Sequence, residues 1–210
     1  MARPDVRSDL ISAAETLIAQ RGVDSVSLRE ITAASGALNA SAVQYHFGGR
    51  GGLLRAVLAK HDAGIERERH ALLDAYEHHG CDHLRDLAGA YVRPLAAKLD
   101  DPDGGHGYLQ LLADLWNRPE PFADRAELER AAADLANSTT RWRSMVAPLL
   151  DPEAVRLHRR FLAMQFTVTD LARRARNRPD GSSDRYTSHL IDLVAALLAA
   201  PLSEETRRTL

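Results

Sequence analysis

Residues 27–54 read SLREITAASGALNASAVQYHFGGRGGLL, and this stretch decides the fold of the chain. Ser27 is a favourable N-cap, and Glu30 stands three residues later to complete a capping box, so a helix should begin at Leu28. Gly36 should end that helix, because glycine adopts the left-handed backbone that closes a helix at little cost. The pattern predicts one short helix whose two ends are both set by local sequence.

A second short helix should follow at once. Asn39 can cap a helix from Ala40 to Phe47, in which Val43 and Phe47 are four residues apart and point inward. The outward side chains are then Ser41, Gln44, Tyr45 and His46. Two short helices joined by a tight turn, the second of them presenting hydrogen-bonding side chains, are typical of a helix-turn-helix that reads the major groove of DNA.

A supporting helix precedes this pair. Its apolar residues recur at helical spacing, and Gly22 should end it. The stripe consists of Val6, Leu10, Ala14, Leu17 and Ile18. The three helices together can close one small core.

The segment from about residue 6 to residue 58 resembles the DNA-binding domain of the tetracycline-repressor (TetR) family of transcriptional regulators. The resemblance is carried by LISAAETLIAQRGVDSVSLREITAASG at residues 10–36 and by YHFGGRGGLL at residues 45–54. It implies an all-α protein with a three-helix DNA-binding domain over residues 1–52. Residues 53–210 would then form a helical domain that binds an effector and dimerises.

The segment departs from the commonest family pattern in two places. One additional residue stands between Gly36 and Phe47, so the aromatic residue appears at Tyr45 where many relatives have it at the position of Gln44. Gly51 and Gly52 replace helix formers, and each should cost about 1 kcal/mol relative to alanine. We expect the next helix to begin loosely and the glycine pair to serve as a hinge.

The resemblance and the helix positions together predict the DNA contacts. Gln44 can make a bidentate contact to adenine, whereas Arg29 and Arg50 are placed to hold phosphates. The full predicted set is Ser27, Arg29, Asn39, Ser41, Gln44, Tyr45, His46 and Arg50. The net charge of −2 gives no independent indication of nucleic-acid binding.

The composition indicates a globular intracellular protein. The chain has 210 residues, of which 45% are hydrophobic and 27% are charged. This length is enough for a small N-terminal domain and a larger C-terminal domain. No apolar run approaches the length of a transmembrane helix, and no signal-like segment follows the N-terminus. The single cysteine excludes an internal disulfide. We expect a cytoplasmic protein.

C-terminal to the predicted DNA-binding domain, the spacing of the apolar residues predicts only helices. We expect them at about residues 53–79, 83–99, 107–117, 123–146, 153–176 and 185–200. The resemblance implies an effector pocket in this C-terminal domain. Aromatic and apolar residues with a few hydrogen-bonding side chains are typical of such a cavity. The candidates are Tyr108, Leu112, Trp116, Trp142, Phe161, Met164 and Gln165.

The last two predicted helices are apolar over much of their circumference. In the family that the chain resembles, the corresponding helices form a four-helix dimer interface, and a two-fold dimer presents two reading heads to a palindrome. The predicted dimerisation residues are Phe161, Val168, Leu190, Leu193, Val194 and Leu197. The alternative is that these residues form an internal helix pair.

Sequence signatures of catalysis are missing. A helical di-iron enzyme needs two Glu-x-x-His pairs, and the chain contains none. The segment HHGCDH at residues 78–83 offers metal-binding side chains without a second cluster at ligand spacing, so a solvated loop is the favoured interpretation. We expect no enzyme, no cofactor and no metal site.

These observations favour a homodimeric regulator that binds palindromic operator DNA, most often as a repressor, and is released by a small-molecule effector. The alternative is a helical protein that binds a ligand or a partner and does not read DNA.

Overall fold

The computed structural model describes residues 5–37, 39, 41–79, 83–118, 136–177 and 183–209. Regular structure in these ranges is helical, with no strand among them, which confirms the all-α class. The first helices are α1 (Val6–Arg21), α2 (Leu28–Ala34), α3 (Ala42–Phe47), α4 (Arg50–His79), α5 (Leu84–Ala96) and α6 (Gly105–Trp116). The later described helices are α7 (Ser138–Val146), α8 (Pro152–Arg156), α9 (Arg159–Asn177), α10 (Ser183–Ala199) and α11 (Glu204–Arg208).

The ends of α1 and α2 follow the local signals. Ser27 Oγ accepts a hydrogen bond from Glu30 N at 3.3 Å, and Glu30 Oε2 accepts one from Ser27 N at 2.8 Å, which is the expected capping box. Gly22 and Gly36 follow the two helices with φ of 77° and 72°, in the left-handed region that glycine adopts without steric cost. The predicted start of α2 and the stops of both helices are confirmed.

The helix α3 starts later than the sequence predicts. The expected helix from Ala40 to Phe47 is Ala42–Phe47, and Ala40 itself lies outside the described residues. Asn39 caps the preceding turn instead, because its Oδ1 accepts hydrogen bonds from Ser41 N at 2.9 Å and from Ser41 Oγ at 2.7 Å. Such a bond to the backbone two residues ahead competes with helix formation, and the predicted start was therefore wrong.

The first turn of α4 is formed in spite of its two glycines. A Cβ at Gly52 would lie 1.8 Å from Phe47 O and 2.8 Å from Phe47 C. Glycine is needed there because the backbone at the end of α3 passes too close for any side chain. A Cβ at Gly51 would meet only Arg55 Nη1, at 3.8 Å. Close approach explains Gly52, and the structure assigns no flexible joint to the pair.

Two of the predicted long helices are interrupted. Asn137 accepts a hydrogen bond from Thr140 N at 3.0 Å and caps α7, so the helix expected from residue 123 to residue 146 breaks before Ser138; its residues 123–135 lie outside the described ranges. The helix expected over residues 153–176 is divided between α8 and α9. His158 lies between them with φ of 56°, a left-handed backbone that does not continue a helix.

The chain divides into two compact units. The first contains residues 1–63, 97–119 and 171–179, so it holds α1 to α3, the first part of α4, and α6. The second contains residues 64–96, 120–170 and 180–210. The functional boundary expected after residue 52 stays a prediction, since compact units describe packing only.

A buried carboxylate lies at the centre of the first unit. Glu15 of α1 is 1% exposed, and its carboxylate accepts hydrogen bonds from Lys60 Nζ at 2.8 Å and from His61 Nε2 at 2.9 Å. A Cβ at Gly107 of α6 would lie 2.2 Å from Glu15 O. The charge of Glu15 is thus matched by α4, and α6 packs backbone to backbone against α1.

The core of the second unit is built on α5, α7 and α10. Trp142 of α7 is completely buried and donates from Nε1 to Leu87 O at 2.6 Å. Tyr91 packs against it with 4.8 Å between the ring centroids.

The helices that the structure describes include none that is both long enough and apolar enough to cross a membrane.

The contrast between the two glycines can be tested by replacing each with alanine. Gly52→Ala should destabilise the protein by about 1–3 kcal/mol, because the added methyl group forces the end of α3 away from α4. Gly51→Ala should be neutral or stabilise by up to about 1 kcal/mol, because alanine favours a helix where nothing obstructs it. Urea unfolding followed by circular dichroism measures both changes. Equal midpoints for the two variants would contradict the assignment of the close contact to Gly52.

Candidate functional site

The outward face of α3 is an exposed surface of polar and aromatic side chains in the first unit. Val43 is buried and anchors the helix, whereas Ser41, Gln44 and His46 are exposed. The Tyr45 side chain is 84% exposed, which is unusual for a large ring in a protein that is not in contact with a partner. The structure therefore presents four of the predicted DNA-contacting side chains together on one face.

A concave surface lies beside this face. It is a cavity of about 420 Å³ bounded by the start of α1, the turn before α3, and α3 itself. Its lining comprises Val6, Asp9, Ser35, Gly36, Ala37, Asn39, Ala42, Tyr45 and His46. Tyr45 contacts His46 edge to face, with 5.0 Å between the ring centroids, so each ring restricts the orientation of the other.

Arg7 is a candidate that the sequence pattern did not indicate. Its guanidinium carbon lies 5.3 Å from the centroid of the Phe47 ring, a distance at which a cation and an aromatic ring attract each other. The side chain is exposed and stands in the first turn of α1. Sequence spacing could not reveal this residue, because the contact joins positions forty residues apart in the chain.

The hydroxyl of Ser27 is engaged within the protein. It donates to Glu30 Oε2 at 2.7 Å, and Arg21 Nη1 pairs with Glu30 Oε1 at 2.7 Å. The hydrogen bond from the Ser27 side chain is the largest of several contacts that lower the pKa of Glu30 to about 2. The Glu30 carboxylate is therefore ionised at every ordinary pH, and Ser27 acts as a cap.

Arg29 and Arg50 have different surroundings. Arg50 donates from Nη1 to Val26 O at 2.6 Å and from Nη2 to Val23 O, so it fastens the connection between α1 and α2 to the start of α4. Arg29 is exposed, and its side chain makes no ion pair or hydrogen bond within the described ranges. Of the two arginines, Arg29 has the guanidinium that is available to a phosphate.

The seven predicted effector-pocket residues fall in both units. Tyr108, Leu112 and Trp116 belong to the first unit, and the remainder, Trp142, Phe161, Met164 and Gln165, belong to the second. Tyr108 donates its hydroxyl to Asp62 Oδ1 at 3.0 Å, and Trp142 donates to Leu87 O. The polar atoms of these two rings therefore already have partners within their own units.

A buried arginine near Trp142 was missed by the sequence analysis. Arg69 of α4 is 3% exposed and lies over the ring of Tyr91, with 4.9 Å from its guanidinium carbon to the ring centroid. Arginine in a helix rich in charged residues is usually exposed, so no sequence signal could have indicated its burial.

The predicted dimerisation residues divide between core and surface. Val168, Leu190 and Val194 are buried within the second unit, with exposures of 1% or less. Phe161 is 49% exposed and Leu193 is 41% exposed, while Leu197 is intermediate. Other exposed apolar side chains of the same unit are Leu157, Leu162 and Phe166. The exposed apolar surface therefore belongs to these residues rather than to the whole predicted set.

The histidine-rich segment at residues 78–83 lies only partly within the described residues. Cys81 and Asp82 fall outside them, and His78, His79 and His83 are exposed. His79 Nδ1 bonds with Ala75 O at 2.6 Å. Among the residues that the structure describes, no group of three metal-ligating side chains is close enough to hold an ion.

Comparison with known proteins gives one match to a family model. Residues 10–57 match the family described as "Bacterial regulatory proteins, tetR family", which spans α1, α2, α3 and the start of α4. None of the curated proteins matches the chain.

Two solved structures are similar to the chain. A protein of Rhodococcus sp., assigned to the TetR-family transcriptional regulators, is 24% identical, covers 92% of this chain and 98% of its own, and has a TM-score of 0.47. RolR in complex with resorcinol is 22% identical, covers 95% of each chain and has a TM-score of 0.41. The family match covers residues 10–57, so the segment from α1 to the start of α4 is similar to the tetR family of bacterial regulatory proteins.

Proposed function

We propose that the protein is a homodimeric transcription regulator that binds palindromic operator DNA and is released by a small-molecule effector. The observation that carries this proposal is the exposed face of α3, where Ser41, Gln44 and Tyr45 are held outward by the buried anchor Val43. The family match over residues 10–57 supports the same role for this face. We further propose that the regulator represses, acts in the cytoplasm and catalyses no reaction.

The proposed contacts have separate tasks. Gln44 has both a donor and an acceptor at its end, which suits the N6 and N7 edge of adenine, and Tyr45 and Ser41 lie beside it. Arg29, His46 and Asn39 are proposed to contact phosphates, which fix the register without reading sequence. Ser27 and Arg50 are proposed to act by shaping α2 and the start of α4, because their polar atoms are engaged within the protein.

The dimer is proposed to form through the apolar surface of the second unit. Phe161, Leu162 and Phe166 of α9 and Leu193 of α10 are each between 37% and 49% exposed. Large apolar side chains that stay exposed to water are candidates for an interaction site. A two-fold dimer carries two α3 helices, which can enter successive major grooves about 34–36 Å apart.

The direct test is a gel-shift experiment with purified protein and the DNA immediately upstream of its own gene. A specific complex that withstands competitor DNA supports the proposal. Binding that competitor DNA removes completely would favour instead a helical protein that binds a ligand or a partner.

Gln44→Ala tests the reading contact. Specific binding should weaken by about 1–3 kcal/mol, since one bidentate base contact is lost, while non-specific binding should stay nearly unchanged. Gln20→Ala, on the exposed face of α1, is the matched control and should change neither affinity. Fluorescence anisotropy with operator and with scrambled DNA measures both. Equal loss on the two DNAs would show that Gln44 supports the fold and does not read bases.

Arg29→Ala and Arg50→Ala separate a phosphate contact from a structural contact. Arg29→Ala should reduce the slope of log affinity against log salt by about 0.9, one phosphate's contribution, without changing the unfolding midpoint. Arg50→Ala should lower the midpoint, because the carbonyls of Val23 and Val26 lose their donor. Salt titrations and urea unfolding of both variants decide the matter. A salt slope lowered only by Arg50→Ala would reverse the two assignments.

Phe161→Glu tests the dimer surface. A buried interfacial carboxylate without a partner is strongly unfavourable, so this variant should sediment as a folded monomer and lose specific DNA affinity. Ser144→Glu places the same charge on the exposed side of α7 and should remain dimeric. Analytical ultracentrifugation, with circular dichroism as the folding control, compares them. A fully dimeric Phe161→Glu variant would place the interface elsewhere.

A further inference from the structure

The connection between α1 and α2, residues 22–27, is held by side chains of two other helices of the first unit. Val23 and Val26 are buried within it, with exposures of 0% and 2%. Arg50 of α4 donates to the carbonyls of both residues. Asp114 of α6 accepts a hydrogen bond from Val23 N, with 2.9 Å between N and Oδ2. Both backbone polar groups of Val23 therefore depend on side chains that lie far away in the sequence.

The bond from Val23 N to Asp114 satisfies a donor that has no alternative. Val23 is completely buried, and a buried backbone N–H without an acceptor is costly. Within the described ranges, no atom other than Asp114 Oδ2 accepts from this amide. A hydrogen bond to a carboxylate is also stronger than one between neutral groups. Without Asp114 the connection would have to move until water reached the amide.

A second contact joins the same two segments and is expected to contribute little. Arg118, two residues beyond the end of α6, pairs with Asp24 of the connection at 2.6 Å between Nη2 and Oδ1. The Asp24 side chain is 82% exposed, so solvent screens this pair and weakens it. The attachment of α6 to the connection therefore depends mainly on the bond between Asp114 and Val23.

The held connection leads directly into the helix pair that carries the candidate DNA surface. Val26 precedes Ser27, whose reciprocal hydrogen bonds with Glu30 set the start of α2, and α2 packs against α3. We propose that Asp114 is a positioning residue for DNA binding, because it fixes the connection through Val23 N and thereby the start of α2. The inference rests on the proposed function only for its effect on DNA.

Hydrogen exchange of the free protein tests the contact without DNA. In Asp114→Ala the Val23 amide loses its acceptor, so it should exchange about tenfold faster or more, and the amides in the first turn of α2 should also exchange faster. Asp114→Asn keeps an acceptor oxygen and should stay within about threefold of the wild type. Mass spectrometry with electron-transfer fragmentation resolves single amides, and circular dichroism verifies folding.

Operator affinity, measured by fluorescence anisotropy, tests the consequence for DNA. Asp114→Ala should weaken specific binding about tenfold or more, whereas Asp114→Asn should bind like the wild type. The two variants have the same net charge, so a difference between them cannot come from the charge that both have lost. Asp24→Asn removes a charge from the same connection and should change little. If Asp114→Ala does not fold, Asp114→Ser replaces it, because the shorter side chain does not reach Val23 N.

The outcomes separate this inference from the proposed function. Unchanged exchange at Val23 in Asp114→Ala would overturn the inference, as would equal operator affinities of the folded alanine and asparagine variants. Faster exchange at Val23 and in α2, in a protein that never forms a specific DNA complex, would support the positioning contact and overturn the proposed function.

Discussion

The compact unit that carries the candidate DNA surface depends on one buried charge. Glu15 is 1% exposed, and a carboxylate so enclosed is stable only when cations and hydrogen bonds compensate for its lost hydration. Lys60 and His61 provide that compensation from α4 at 2.8 and 2.9 Å. The requirement fixes α4 against α1 within the unit, and α2 and α3 pack on the helix thus held. A polar interaction between α1 and α4 therefore helps determine where α3 lies within the first unit.

Glycines make this arrangement possible by allowing close approach. A Cβ at Gly104 would lie 2.1 Å from Glu15 Oε2, and one at Gly107 would lie 2.2 Å from Glu15 O. Gly52 has the same role at the junction of α3 and α4, where Phe47 O leaves no room for a side chain. A glycine within a helix is usually interpreted as a flexible point. In this unit the missing side chain matters more, because it lets backbones pack at distances that no other residue permits.

The sequence predicted the features that neighbouring residues determine. The capping box of Ser27 and Glu30, the stop at Gly22 and the inward position of Val43 depend on contacts within a few residues, so their signals are visible in the chain. The burial of Glu15 and Arg69 could not be predicted, because their partners lie 45 to 70 residues away. The same limit applies to Arg50, whose type and position suggested a phosphate contact while its carbonyl partners at Val23 and Val26 were invisible. Local order was predictable, and the partners of long charged side chains were not.

The start of α4 constrains how α3 can move within the first unit. The part of α4 that lies in the first unit runs without a break from Arg50 to Ala63, so a displacement of this part of the helix reaches its first turn without a joint to absorb it. Gly52 in that turn lies in close contact with the end of α3, and a shift of this part of α4 must therefore move Phe47 and the exposed face of α3 with it. A hinge at Gly51 and Gly52 would let α3 and α4 move separately, whereas the close contact there makes them move together. The close contact at Gly52 therefore couples the position of α3 to that of the first turn of α4, and because such coupling is reciprocal, whatever fixes one of them restricts the other.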